Sequence, residues 1–121
     1  MFHGLTDLID QLDAAVELRD PEAITQRVNF TLSDMLWRSA LQLLESLRRT
    51  RQEGYARRLL HHDADRGYSA VVMTWAPGQC TPLHDHGGLW CVEGVVDGAM
   101  QVTQFDLTDR SGDSYSFVER G

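Results

Sequence analysis

Hydrophobic residues in the first fifty positions recur every three or four residues, which is the spacing of amphipathic helices. The first helix is predicted over about residues 5–18, the second opens at Asp20-Pro21 and runs through Val28, and the third covers Ser33 to Thr50. Asp20 and Pro21 suit an N-cap and the first helical position. The apolar faces of the first and third helices are expected in the core, and they comprise Leu5, Leu8, Ile9, Leu12 and Val16, then Leu36, Ala40, Leu43, Leu44 and Leu47.

The pattern changes after Gly54, where β-branched and aromatic residues stand between turn signals. Asp65-Arg66-Gly67 and Ser111-Gly112 are expected to be turns, and Asp97-Gly98 is expected to be a hairpin turn. Helices followed by short strands predict an α+β fold with a small antiparallel barrel or sandwich, as a single domain over residues 1–121. Its helical part is expected over 1–50 and its barrel part over 51–121. Six strands are predicted, near residues 55–62, 68–76, 82–86, 90–97, 99–107 and 114–119.

The charge balance of the 121 residues excludes some classes of partner. Eleven basic and eighteen acidic side chains give a net charge of −7, which argues against binding to nucleic acid phosphates or to an anionic membrane surface. No stretch approaches the roughly 20 apolar residues that span a bilayer, and no secretion signal is visible, so a cytoplasmic location is expected by default. In such a reducing compartment, Cys80 and Cys91 are expected to be free thiols.

One stretch carries residues that could hold a reactive metal. His84 and His86 are two residues apart, and on an extended strand such side chains point to the same face, with Asp85 facing the other way. A neutral imidazole is a common ligand for iron, zinc, copper and nickel. Pro77-Gly78 and Gly87-Gly88 bracket the pair with turn residues. A polar stretch at the mouth of a barrel is the alternative interpretation of the same pattern.

The spacing around this pair resembles a known family motif. Gly78, His84, His86, Cys91 and Gly98 resemble the first conserved motif of the cupin superfamily, with cysteine where most cupins place a glutamate ligand. That exchange, together with the stretch from Trp90 to Val95, resembles the type I cysteine dioxygenase family in its bacterial form. Two further matches lie upstream, and the likeness covers about residues 50–107. The two upstream matches are the Tyr55-x-Arg57 segment and Trp75. Pro82 and Asp85 agree with the motif around the histidines as well.

The resemblance implies a fold and a reaction. The fold is a cupin jelly roll, and the reaction adds both atoms of O2 to the sulfur of L-cysteine to give cysteine sulfinic acid, with Fe(2+) as cofactor. It implies that His84 and His86 bind the iron and that Arg57 binds the substrate carboxylate, since a guanidinium donates two parallel hydrogen bonds. An arginine at this position resembles the enzymes that act on cysteine, whereas relatives that use 3-mercaptopropionate tend to carry glutamine.

Three more site residues follow from the same resemblance. Tyr55 would be a hydrogen-bond donor beside the substrate, Trp75 would help to form the pocket wall, and Cys91 stands where some family members form a thioether crosslink. Judged without the family, such an arginine more often lies on the surface, such a tyrosine is more often a core aromatic, and a free cysteine such as Cys91 is usually a small buried hydrophobe; the match to the family reverses the preference for Arg57 and Tyr55. Glu93 has the strand parity of Cys91 and is a weaker candidate for a carboxylate ligand.

The sequence departs from the family pattern at its end. The family takes a third histidine from a later motif, whereas no histidine follows Leu107 here and Tyr115 is the one late tyrosine. We therefore expect a truncated sequence with an incomplete barrel, weak iron binding and little activity. A non-catalytic cupin that binds a metal or small molecule and a 3-mercaptopropionate dioxygenase are the alternatives, and the oligomeric state stays open.

Overall fold

The computed structural model describes residues 3–111 and 114–119, with side chains as far as Phe105. Within these ranges the chain forms helices in its first half and two separate antiparallel hairpins. None of the helices in the described ranges has the length and apolar character that crossing a membrane requires. The elements in chain order are α1 (Leu5–Val16), α2 (Pro21–Trp37), α3 (Glu45–Arg48), β1 (Ala56–Asp63), β2 (Tyr68–Thr74), β3 (Phe105–Ser111) and β4 (Ser114–Glu119).

The first two helices begin where the sequence predicts. The Asp20 carboxylate caps α2 by accepting a hydrogen bond from the Ala23 N–H at 3.2 Å, and Pro21 follows in the first turn. Gly4 precedes α1 with a φ of 89°, and a Cβ at this position would overlap the carbonyl oxygen of Ala40. Glycine is therefore required where the start of α1 meets the end of α2.

The predicted third helix from Ser33 to Thr50 is wrong, because α2 takes up its first residues and then stops. Ser39 has a φ of 53°, a left-handed conformation that ends a helix. The Ala40 N–H donates to the Met35 carbonyl at 2.8 Å and the Ser39 N–H donates to the Leu36 carbonyl at 3.2 Å, which is the Schellman pattern. After this point, α3 with its four residues is the one helix in the described ranges. Four of the five predicted core positions pack against the core, namely Leu36, Ala40, Leu43 and Leu47, whereas Leu44 is exposed because the helix ends before it.

The core lies between α1, α2 and the β1–β2 hairpin. Segment 90–94 covers one side of α2, where Gly94 lies so close that a Cβ would come within 2.9 Å of Leu36 Cδ1. Trp90 and Val92 pack against the same cluster. Burial of these apolar side chains is the main favourable contribution to the stability of this unit. The buried cluster consists of Leu8, Leu12, Ala15, Ile24, Val28, Met35, Leu41 and Tyr68.

The β1–β2 hairpin forms around the predicted turn at Asp65-Arg66-Gly67. Gly67 has a φ of 73°, and its N–H donates to the Asp63 carbonyl at 2.8 Å. The register shifts between Leu59 and His61, which is a β-bulge. Since side chains alternate along a strand, one extra residue moves every later side chain to the opposite face.

The second hairpin and the segment before it differ from the predicted barrel. β3 pairs antiparallel with β4 as expected, although Gly112 of the predicted turn lies outside the described residues. Residues 82–86 and 90–97 form no strand, and β3 begins at Phe105 instead of residue 99. Gly98 has the predicted positive φ of 84° but no paired strands flank it. The described residues thus form an α+β structure with two two-stranded sheets, and these do not close into a barrel. A strand needs a ladder partner, and segment 82–97 has none among the described residues.

Candidate functional site

The loop that carries the histidines is fixed at its start by Gln79. Its side-chain oxygen accepts from the Ala76 N–H at 2.7 Å, and its side-chain nitrogen donates to the Arg51 carbonyl at 2.5 Å. Gly78 allows the turn at this point with a φ of 84°. The loop is therefore tied to the segment that leads into β1.

His84 and His86 lie close together on this loop. Their ring centroids are 5.4 Å apart and the rings are nearly perpendicular, at 89°. The Nδ1 of His84 lies 2.8 Å from the Pro82 carbonyl oxygen, and because a carbonyl can only accept, this nitrogen carries the proton. In the neutral ring the lone pair is then on Nε2, which is the usual arrangement of a metal-binding histidine whose other nitrogen is held by the protein.

The pair sits on a turn-rich loop instead of the predicted strand. Asp85 accepts a hydrogen bond from the Gly87 N–H at 3.0 Å, and the Leu89 N–H donates to the His86 carbonyl at 3.1 Å. Gly87 and Gly88 have φ values of 62° and 77°, which a continuous strand does not contain. Local turn bonds thus hold the two rings near each other, and strand alternation plays no part. Both imidazoles are exposed.

A second group of predicted site residues lies on one face of the β1–β2 hairpin. Arg57 pairs in register with Met73, and the ring of Tyr55 stacks on that of Trp75 with centroids 6.1 Å apart and planes at 30°. Tyr55 and Arg57 are two residues apart and share a face. Arg57 is exposed and makes no hydrogen bond or ion pair with any residue whose side chain is described. Its guanidinium is available to an external anion.

Arg58 faces the opposite side of the hairpin. Its Nη1 donates to the Leu47 carbonyl at 3.1 Å and lies 3.4 Å from the Thr74 hydroxyl oxygen. The side chain is half-buried and joins α3 to the hairpin. Of the two consecutive arginines, Arg58 is a structural link, and Arg57 has no partner among the residues whose side chains are described.

Cys91 follows the histidine loop and is exposed. Partial burial of its thiol, followed by the negative charge of Glu93, raises the pKa of Cys91 above its ordinary value. A thiol with a raised pKa is less often a thiolate at neutral pH, so Cys91 is a poor nucleophile here. Cys80 is also exposed and free.

The structure brings the predicted site residues together in two groups. One contains His84 and His86, and the other contains the stacked rings of Tyr55 and Trp75, with Arg57 two residues along the chain from Tyr55. No hydrogen bond, ion pair or ring contact joins the two groups in the part of the chain whose side chains are described.

A third cluster was not expected from the sequence. One ligand atom each from Asp13, His61 and Asp63 lies within 4.8 Å of the others, and all three residues are half-buried. From the sequence alone, His61 is expected in or beside the turn before Gly67 and not among the metal ligands, because nothing local reveals that Asp13 lies nearby. The Tyr68 hydroxyl donates to Asp13 Oδ1 at 2.6 Å across 55 positions of sequence.

Comparison with known families identifies the chain. No solved structure matches it. The family model for cysteine dioxygenase type I matches residues 25–120, which includes both groups of predicted site residues. The chain therefore belongs to the cysteine dioxygenase type I family.

Proposed function

We propose that this protein is an iron-dependent thiol dioxygenase that converts L-cysteine and O2 to cysteine sulfinic acid. The family match supports a dioxygenase of this type. The observation that carries the proposal further is the histidine pair, with ring centroids 5.4 Å apart and the Nδ1 of His84 held by the Pro82 carbonyl. When bound, ferrous iron would bring the substrate sulfur and O2 together and supply the redox chemistry that O2 needs.

His84 and His86 would hold the iron through neutral imidazoles. A site without a protein carboxylate suits a substrate that brings its own negative charge as a thiolate. The hydrogen bond from Nδ1 to the Pro82 carbonyl selects the tautomer of His84 that has its lone pair on Nε2, which would be the nitrogen that binds the iron. The turn bonds at Asp85 and His86 limit the motion of the loop between the two ligands.

Arg57 would bind the carboxylate of cysteine. Its guanidinium is exposed and unpaired among the residues with described side chains, so no internal ion pair has to be broken. The stacked rings of Tyr55 and Trp75 lie on the same face and would form a wall beside the substrate, with the Tyr55 hydroxyl as a hydrogen-bond donor. In a complete cupin jelly roll, which we propose as the fold, this face would line the barrel interior.

The role of Cys91 in this proposal is secondary. Its raised pKa argues against a nucleophilic role and is compatible with a position beside the iron or with a later crosslink. Substitution of Cys91 by serine is expected to alter turnover less than loss of either histidine.

The experiment is iron loading under anaerobic conditions, followed by air and L-cysteine, with cysteine sulfinic acid measured by mass spectrometry. No histidine follows His86 in these 121 residues, so we expect weak iron retention and slow product formation. Added imidazole should raise both the iron retention and the rate of product formation, because it supplies a third neutral nitrogen ligand.

Two comparisons separate this function from its alternatives. Replacing L-cysteine by 3-mercaptopropionate tests the substrate, and faster oxidation of 3-mercaptopropionate would favour that enzyme class. Iron binding without any sulfinic acid, with or without imidazole, would instead indicate a non-catalytic binding module.

A further inference from the structure

We propose that Asp13, His61 and Asp63 form a second metal site where α1 meets the β1–β2 hairpin. The site would bind a divalent transition-metal ion such as Zn²⁺. Asp13 comes from α1, and His61 and Asp63 come from β1 after its bulge. One ligand atom from each residue lies within 4.8 Å of the other two. The proposal does not depend on the proposed function, because it involves neither the histidine pair nor Arg57.

The imidazole of His61 gives the first argument. It is half-buried, and its one described contact is with the ring of Tyr68, at a centroid distance of 5.7 Å. Neither ring nitrogen makes a hydrogen bond or an ion pair with any residue whose side chain is described. The next residue differs, since the Nδ1 of His62 lies 2.7 Å from the Ser69 hydroxyl oxygen. Among the residues with described side chains, His61 thus lies beside two carboxylates and has no hydrogen-bond partner for either nitrogen.

The surroundings of the two carboxylates give the second argument. The Tyr68 hydroxyl holds Oδ1 of Asp13 at 2.6 Å, which leaves Oδ2 free for a ligand bond. The backbone N–H of Arg66 holds Oδ1 of Asp63 at 2.9 Å. Hydrogen bonds of this kind orient the carboxylates of metal sites. A helix and a paired strand also provide a firmer frame than loops do.

The ligand set indicates the kind of ion. One imidazole nitrogen and two carboxylate oxygens suit Zn²⁺, whereas Mg²⁺ and Ca²⁺ favour sites made of oxygen alone. Two carboxylates would also balance the charge of a divalent ion. The ligand atoms lie within 4.8 Å of one another, and ligands of a tetrahedral zinc ion lie roughly 3.3 Å apart. Each pair of ligand atoms would therefore have to move closer by no more than about 1.5 Å.

Arg66 competes for the same carboxylates and makes the proposal testable. Its Nη1 lies 3.0 Å from Asp63 Oδ2, and its Nε lies 3.9 Å from Asp13 Oδ1. If the cluster is only an ion-pair network, Arg66 stabilises it. If the cluster binds a cation, Arg66 weakens that binding by occupying the ligands.

The experiment measures Zn²⁺ binding by calorimetry in a chain that carries His84→Ala and His86→Ala, so that the other imidazole pair does not contribute. We expect one Zn²⁺ per chain. His61→Ala should weaken binding at least tenfold, and the matched control His62→Ala should leave it unchanged. Arg66→Gln should tighten binding by at least threefold.

Equal Zn²⁺ affinity in the His61→Ala and His62→Ala chains, or weaker binding after Arg66→Gln, would overturn the proposal. Absence of Zn²⁺ binding in the chain that carries only His84→Ala and His86→Ala would also overturn the proposal. Asp13→Asn provides a second variant if His61→Ala fails to fold, because asparagine keeps an acceptor for the Tyr68 hydroxyl. The Asp13→Asn chain should also bind Zn²⁺ more weakly. With Co²⁺ as the probe, visible absorption should appear in the chain that carries only His84→Ala and His86→Ala. It should disappear when His61→Ala or Asp13→Asn is added.

Discussion

Arg57 and Arg58 stand next to each other on β1 and face opposite sides of the hairpin. Arg58 donates to the Leu47 carbonyl and is half-buried, while Arg57 is exposed and has no partner among the residues with described side chains. The two side chains are chemically identical. Differences between their variants therefore report on environment alone.

We predict that Arg57→Gln changes the free energy of unfolding by no more than about 0.5 kcal/mol, because an exposed side chain without partners contributes little. Arg58→Gln should cost about 1–2 kcal/mol, since a charge-assisted hydrogen bond is lost at a half-buried position. Urea unfolding of both variants measures this difference.

The effects of these two substitutions on L-cysteine binding should have the opposite order to their effects on stability. Arg57→Gln should weaken L-cysteine binding by roughly tenfold or more, because the paired hydrogen bonds to the carboxylate are lost. Arg58→Gln should leave that binding unchanged once the chain is folded. A titration in which both variants bind cysteine as the parent does would contradict the role given to Arg57.

Sequence reasoning at the residue scale succeeded where a local rule applies. Asp20 caps α2 as predicted, and Gly67 takes the positive φ that its turn requires. His84 and His86 lie close together as expected, although the strand expected to align them is a loop, and their role as iron ligands stays a prediction. His61 was missed because its partner Asp13 is 48 positions away, and no local pattern encodes that contact.

At the scale of elements, the end of α2 decides how the helical part is organised. A continuous apolar spacing from Ser33 to Thr50 predicts one long helix, but Ser39 adopts a left-handed conformation and the chain turns back towards Gly4. Serine gives no sequence signal for this, since glycine is the usual residue at such a position. Periodicity thus identified most of the side chains that pack against the core, although Leu44 is exposed and the buried Leu41 was missed. It could not identify where the helix stops.

We predict that Ser39→Gly stabilises the protein by about 0.5–1 kcal/mol, because glycine adopts a φ of 53° without the cost that a Cβ imposes. Ser46→Gly is the matched control within α3, and it should destabilise by about 0.5–1 kcal/mol. Thermal unfolding of the two variants gives shifts of opposite sign. A loss of stability in Ser39→Gly would mean that the serine hydroxyl has a role of its own.

At the scale of the whole molecule, the hydrogen bond from the Tyr68 hydroxyl to Asp13 is one of the contacts that join the helical part to the first hairpin. Burial, together with the hydrogen bond to Asp13, raises the pKa of Tyr68 well above its ordinary value. The neutral phenol is therefore favoured in the folded state. Its stabilising effect is complete below the ordinary tyrosine pKa of about 10 and is lost as the pH rises through the raised value.

We predict that the free energy of unfolding falls between about pH 9.5 and 11, because the unfolded chain loses the Tyr68 proton and the folded chain keeps it. Tyr68→Phe should be less stable than the parent at neutral pH and should show a shallower loss over the same range. Denaturant unfolding at a series of pH values measures both slopes. Parallel slopes would show that Tyr68 does not control the alkaline limit.

The fold class was predictable from the order of helices and strands, whereas the barrel was not. Residues 82–97 carry the expected strand-like composition but find no strand partner in the described part of the chain, and many of their apolar side chains are exposed. Sheet structure depends on pairing, so composition alone does not determine it. The family match, which covers residues 25–120, supports the complete jelly roll as a proposal and not as a described feature.

The most direct test of the proposed function is ferrous iron binding, measured anaerobically by equilibrium dialysis, in the parent chain and in three histidine variants. We predict that His84→Ala and His86→Ala each lower the affinity at least tenfold, while His62→Ala, bonded to Ser69 away from the loop, retains the parent affinity. Far-ultraviolet circular dichroism should be the same in all four. Iron affinity that stays at the parent value in both the His84→Ala and the His86→Ala chain would contradict the account.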